Sequence, residues 1–250
     1  MNRHGAEIQG SLDLAQRFVA GYEPRPQVVL LAGSRTKGTS RPQSDYDLVF
    51  LYPSLPSGAW REMVSFEDAN LEIFAHDLAT LSYFCRELER PSGEPALARM
   101  IEEGIRVICE SEVLEESARE IANETIKTGP VTLDKMSLDS RRYAITDLAA
   151  AIQSPLSSEQ RIAIGASLYA ALTSFALRAN GNWFATGKAL PSVLASARPG
   201  WAERFKDAFE SFYITGQVHL LNCLIDEVLE PHGGRLRSGF RQQAPAEWRD

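Results

Sequence analysis

Apolar residues recur at helical spacing over 7–21, where Ile8, Leu12, Ala15 and Val19 share one side before Gly21, and this pattern predicts an amphipathic helix. The continuous apolar run QVVLLA (27–32) predicts a buried strand. A polar loop rich in Gly, Ser, Thr and Pro occupies 33–44, and a second apolar run, LVFLY, follows at 48–52. NLEIF (70–74) predicts a third strand, with Glu72 set between apolar neighbours. LATLSYFCREL and PALARMIEEG return to helical spacing, the latter ending at Gly104 before another strand-like run, IRVICE.

Beyond about residue 115 strand-like runs nearly vanish. The segments SLDSRRYAITDLAAAIQ, SEQRIAIGASLYAALTSFALRAN, ALPSVLASA, WAERFKDAFESFY and GQVHLLNCLIDEVLEPHGG predict helices, the last stopped by PHGG. TGPVTLDK (128–135) reads as a linker, because Gly129 and Pro130 stand where a helix should break. The expected fold class is α+β: an N-terminal α/β domain with a small mixed sheet over 1–115, and a C-terminal all-α helical bundle over 130–250.

A chain of 250 residues with 44% hydrophobic content can bury the cores this plan needs. Its net charge of -7 argues against a partner held by bulk positive charge, so nucleic acid is not expected. Cys85, Cys109 and Cys223 are far apart, odd in number and lack CxxC spacing, which argues against a disulfide framework or zinc site and suits a reducing cytoplasm. MNRHGAEIQG has no apolar leader core, and no run approaches the roughly 18 to 20 apolar residues of a bilayer span, so neither a secretory leader nor membrane insertion is expected.

The chemistry gathers in VVLLAGSRTKGTSRPQSDYDLVFLY. Residues i and i+2 of a strand face the same way, so Asp45 and Asp47 project together and repel unless a cation lies between them. Mg2+ takes oxygen ligands and is commonly held by one or two carboxylates with substrate phosphates. Upstream, Gly33 lets the backbone approach an anion, Ser34 offers a hydroxyl, and Arg35, Lys37 and Arg41 add positive charge. The plainer alternative is an Asp-rich turn leading into a strand, with its basic residues on a solvated loop.

GSRTKGTSRPQSDYDLVF resembles the signature of the nucleotidyltransferase superfamily related to polymerase β: Gly-Ser, about ten residues, then Asp-x-Asp. The likeness covers residues 28–77 at the level of motif and is similar to bacterial antibiotic nucleotidyltransferases, in which a helical C-terminal domain closes the cleft. It implies Asp45, Asp47 and Glu72 as the catalytic and metal-binding acids, with two Mg2+ ions, and Asp77 as the fallback third acid. Gly33, Ser34, Arg35, Lys37 and Ser44 are implied as nucleotide-binding, with Lys188 of GNWFATGKAL reaching the triphosphate. The implied reaction moves a nucleoside monophosphate, AMP from ATP, to a hydroxyl of a small-molecule acceptor, with antibiotics among the candidates. Glu72 is either general base or metal ligand. The competing functions are modification of a protein or RNA partner of the toxin–antitoxin type, and a nucleotide-binding module without turnover. A homodimer is a further expectation.

Other residues carry weaker signals. Tyr143 and Asp147 lie four apart on one helix face, where an inward acid would suit a cationic acceptor and an outward one is a surface charge. His76 reads as structural, and His219 with Cys223 makes only two ligands at i,i+4, more often a packing pair than a metal site.

Overall fold

The computed structural model describes residues 3–37, 41 and 43–243. The fold is α+β: the chain divides at Gly129/Pro130 into a unit built on a mixed five-stranded sheet and an all-helical unit. Among the described residues no helix is long and apolar enough to cross a membrane.

The first unit opens with α1 (Arg3–Ala20), then β1 (Val28–Ala32), β2 (Tyr46–Leu51), β3 (Trp60–Phe66) and β4 (Ala69–His76). The short helix α2 (Leu78–Tyr83) widens into a π-helical turn (Phe84–Glu89) and ends in α3 (Arg90–Ser92). Then come α4 (Ala96–Glu103), β5 (Ile105–Cys109) and α5 (Glu112–Thr128). The strand order is β3-β4-β2-β1-β5; β2 and β4 run parallel and the other neighbours antiparallel.

Alternation assigns each strand residue to one of two faces. Val29, Leu31, Leu48, Phe50, Leu71, Ile73 and Ala75 pack with Ala15, Phe18 and Val19 of α1. Val28, Leu30, Val49 and Leu51 pack with Leu81, Leu97, Ile101, Leu114 and Ala118 from α2, α4 and α5. Both faces of β1 are therefore covered, which is why VVLLA reads as an unbroken apolar run.

Two elements depart from the pattern-based expectation. Strand β3 forms a hairpin with β4 through Glu67 and Asp68, with Glu67 at φ 51. Helix α5 belongs to the sheet unit, because Leu114, Ala118 and Ala122 enter its core, and so that unit runs past residue 115 to Gly129.

The second unit holds α6 (Lys135–Ala151), α7 (Ser158–Arg178), α8 (Leu190–Ala197), α9 (Trp201–Thr215) and α10 (His219–Leu229). Its core centres on Leu168, Leu172, Phe175, Phe205, Phe212 and Ile225. Asp134 caps α6, and Ser157 forms a reciprocal capping box with Gln160 at the start of α7, each satisfying backbone donors that have no partner within the helix.

Candidate active site

Strand β1 ends at Ala32, and the chain turns at once through a 3₁₀ segment, Gly33–Arg35. Ala32 is the register partner of Asp47, and Asp47 is the register partner of Glu72. Beyond Glu72 stands Met63 on the edge strand. One row across the sheet thus reads Met63, Glu72, Asp47, Ala32, all on the face opposite α1. In the next row Arg61, Phe74, Val49 and Leu30 share that face.

Gly33 fits this row for a steric reason. Its φ is +73, and a Cβ there would lie 1.7 Å from Oδ2 of Asp47, so any other residue would drive the carboxylate away. The loop thereby brings its backbone against the acid.

Asp47 is partly buried, and its pKa is raised to about 6. Burial is the largest cause; the charges of Glu72 and Asp45 push the same way, and Arg61 and Arg35 oppose them. Glu72, with its side chain 15% exposed, is ion-paired with Arg61 of β3, whose Nε and Nη2 both reach Oε1. Asp45 forms no ion pair with another described residue. Carboxylates from two strands therefore converge in a partly desolvated place, an all-oxygen donor set of the kind that suits Mg2+. They are not yet tightly gathered: among the described residues, the group of three potential ligands whose atoms all lie within 4.8 Å of one another is Cys109, Glu112 and Glu115. In that group both glutamates are already engaged, Glu112 by Arg106 and Glu115 by Arg106 and Arg119.

The basic loop is braced internally. The Arg35 guanidinium sits 3.7 Å from the centre of the Tyr46 ring and donates to the carbonyl of Ser44. Lys37 Nζ pairs with Glu103 of α4 at 2.6 Å. The Ser44 hydroxyl accepts from the Arg41 N–H at 2.9 Å, closing the turn that leads into Asp45. A cavity of about 300 Å³ opens beside this turn, lined by Arg35, Ser44, Asp45, Tyr46, Asp68 and Asn70 among others. It takes in Asp45 but neither Asp47 nor Glu72.

Other candidates fall elsewhere. Asp77 is not available as a third acid, because Oδ1 caps α2 through Thr80 and Oδ2 accepts from the Leu55 N–H at 2.8 Å. His76 is buried against Phe84, and burial pushes its pKa down to about 4, so it is a neutral packing residue. Lys188 lies exposed in the Gly187–Ala189 turn of the second unit. Tyr143 is stacked on Phe240 with 4.3 Å between ring centres, and Asp147 is exposed. His219 and Cys223 approach each other to 3.9 Å on the exposed side of α10, with no third ligand beside them among the described residues. Arg61 was not foreseen from the sequence; its signal was the alternation of WREMVSF, which sets Trp60, Glu62, Val64 and Phe66 on one face and Arg61, Met63 and Ser65 on the other.

No protein-family model matches the chain, and no curated protein does. Among solved structures it is similar to a nucleotidyltransferase-like protein from Exiguobacterium sibiricum 255-15, at 12% identity and a TM-score of 0.43, over 90% of this chain and 74% of that one. The roles of individual residues therefore rest on the chemistry of the site itself.

Proposed function

We propose that the chain is a nucleotidyltransferase that moves a nucleoside monophosphate, AMP from ATP, to a hydroxyl of a small-molecule acceptor. The observation that carries this reading is the register pairing of Asp47 with Glu72, side by side on one sheet face, with the Asp47 carboxylate leaving room only for a glycine at position 33.

Asp45, Asp47 and Glu72 would hold two Mg2+ ions, which supply charge stabilisation for the attacking and leaving oxygens. In the reaction the acceptor oxygen forms a bond to the α-phosphorus, the bond from that phosphorus to the pyrophosphate oxygen breaks, and the hydroxyl proton leaves to a base. Glu72, next to the exposed edge strand and paired with Arg61, would be either that base or a ligand that completes the metal site. Asp45 and Asp47 would supply negative charge to the cations held there. The Gly33–Arg35 turn presents Ser34 and its backbone to the outgoing phosphates, while Arg35, held on Tyr46, keeps the loop in shape. Lys37 and Ser44 are assigned to nucleotide contact as part of the same reading.

The test is transfer of label from α-labelled nucleoside triphosphates to a panel of hydroxyl-bearing small molecules and to cell extract, with Mg2+ present. A labelled acceptor produced by the parent and lost in Asp47→Asn supports the assignment. Label transfer of equal yield in Asp47→Asn overturns it. Glu72→Gln then separates base from ligand: a lost base leaves metal-dependent triphosphate binding intact while turnover falls by about 100 to 10,000-fold, whereas a lost ligand weakens that binding too.

A further inference from the structure

Arg61 differs from the other cations around the acids. Arg35 is fixed between the Tyr46 ring and a backbone carbonyl, and Lys37 is tied to Glu103 on α4. Arg61 stands on the edge strand with its side chain 66% exposed, and its polar contacts among the described residues go to Glu72 alone. Both contacting nitrogens use the same oxygen, Oε1, and the guanidinium lies over the Phe74 ring at 5.0 Å. A solvent-accessible cation is thus held by a less exposed acid and an aromatic surface, with no backbone anchor. Such a pair is weak enough to exchange, because an exposed guanidinium recovers most of its solvation in water. It also turns Glu72 towards the sheet edge, and the three acids are not closely gathered.

We infer that Arg61 is a displaceable counter-ion for Glu72, which restrains metal binding at the carboxylates until a triphosphate arrives to take over the guanidinium. The inference rests on the nucleotidyltransferase reading. Its logic is one of competition: a metal that needs Glu72 must first displace Arg61, and its apparent affinity is reduced by the fraction of molecules in which Glu72 is free. Phosphate oxygens are good partners for the freed guanidinium, whose planar donors match them in pairs. Metal and triphosphate should therefore strengthen each other's binding, and by linkage the effect is reciprocal.

The experiment is titration of the full chain with Mn2+, following free ion by electron paramagnetic resonance, with and without a non-hydrolysable nucleoside triphosphate. Arg61→Ala should bind Mn2+ alone roughly two- to tenfold more tightly than the parent, the range expected for releasing one partly exposed ion pair. In the same variant the tightening produced by triphosphate should shrink, and Arg61→Lys should lie between. Arg17→Ala, which removes an equal charge from the exposed pair with Glu67, should leave Mn2+ affinity where it was. Unchanged or weaker Mn2+ binding in Arg61→Ala overturns the inference, as does an equal gain in Arg17→Ala, which would mean simple loss of net positive charge. If the parent binds no Mn2+, or if Asp47→Asn leaves binding untouched, the nucleotidyltransferase reading falls as well. A site that Asp47→Asn removes and Arg61→Ala does not strengthen sinks only the role of Arg61.

Discussion

Strands β2 and β4 show two different surfaces to the rest of the unit. Towards α1 they present Leu48, Phe50, Leu71, Ile73 and Ala75, every one fully buried. On the opposite face the row Asp47–Glu72 is partly open, and only one step further along do Val49 and Phe74 return to packing against the helical layer. Because side chains alternate along a strand, the residues that anchor Asp47 and Glu72 are their immediate neighbours in sequence, Leu48 and Ile73. The acids are thus held by backbone whose position is fixed from the other side. Charge is placed at the strand end where the covering core gives way, since a buried carboxylate without a partner would cost several kcal/mol.

Neutralising one face and hollowing the other should affect different properties of the protein. Asp47→Asn keeps the shape of the side chain and removes its charge. Label transfer should fall by at least about 100- to 1,000-fold, the usual loss on removing a positioned electrostatic group. Thermal stability should hold or rise, because in this fold the ionised form of Asp47 is disfavoured by burial and by its neighbours Glu72 and Asp45. Ile73→Ala should do the reverse, destabilising the unit by about 2 to 5 kcal/mol through the lost contacts and the cavity left behind, with the rate per folded molecule preserved. Paired melting and activity measurements check both, and a variant in which both properties fall together would show that the two faces are not separable.

Much of this contrast was legible in the sequence. Asp45 and Asp47 stand two apart at the head of an apolar run, Gly33 and Ser34 stand at the end of another, and Glu72 interrupts a third; the strand period predicts a common direction for Asp45 and Asp47, whereas the place of Glu72 beside Asp47 comes from the register of β2 with β4. What was not legible depended on pairing. In β3 the residues of one face, Arg61, Met63 and Ser65, are uncovered, and Glu62 on the other face is accommodated by a 2.7 Å hydrogen bond from the Tyr22 hydroxyl, so no apolar run marks the strand. Helix α5 presents Leu114, Ala118 and Ala122 to the core, with Ile121 and Ile126 packed beside them, among many charged residues, so its membership in the sheet unit follows from contacts across the chain and not from a leucine stripe. The engagement of Asp77 as a helix cap was open to local reading, since Asp77 and Thr80 have the spacing of a capping box. The contact of Arg61 with Glu72 was not, because it needs the register of β3 against β4.

A smaller effect sharpens the account of Asp47 through pH. Its folded-state pKa, about 6, lies above the ordinary aspartate value of 3.8, so the folded form binds a proton more tightly than the unfolded form does. In chelator, this residue's contribution to stability should therefore be most favourable below about pH 4 and should decline as pH rises towards 6, then level off. Mg2+ binding needs the carboxylate, so affinity should weaken as pH falls below about 6. The difference in melting temperature between the parent and Asp47→Asn, followed from pH 4 to 7 in chelator, isolates this residue from the other acids. A difference that does not change across the window would show that Asp47 is not the crowded, desolvated group its surroundings describe.

The smallest expected effect belongs to Ser34, and it tests how far the loop contributes beyond bringing backbone to the acids. Ser34 is half-buried in the Gly33–Arg35 turn; its carbonyl accepts from the Lys37 N–H at 3.3 Å, and its hydroxyl makes no hydrogen bond with another described residue. Ser34→Ala should therefore leave folding unaltered, as no internal contact of the hydroxyl is lost. If the hydroxyl bonds a phosphate oxygen, its removal deletes one neutral hydrogen bond worth about 0.5 to 1.5 kcal/mol, a loss of roughly two- to tenfold in triphosphate affinity or in rate. A loss confined to triphosphate affinity places the bond in the bound substrate, and a loss confined to turnover places it on the outgoing pyrophosphate in the transition state. Parent-like values for both would mean that the backbone of the glycine turn does the work at this position, and that a serine there is only a small residue that leaves room for it.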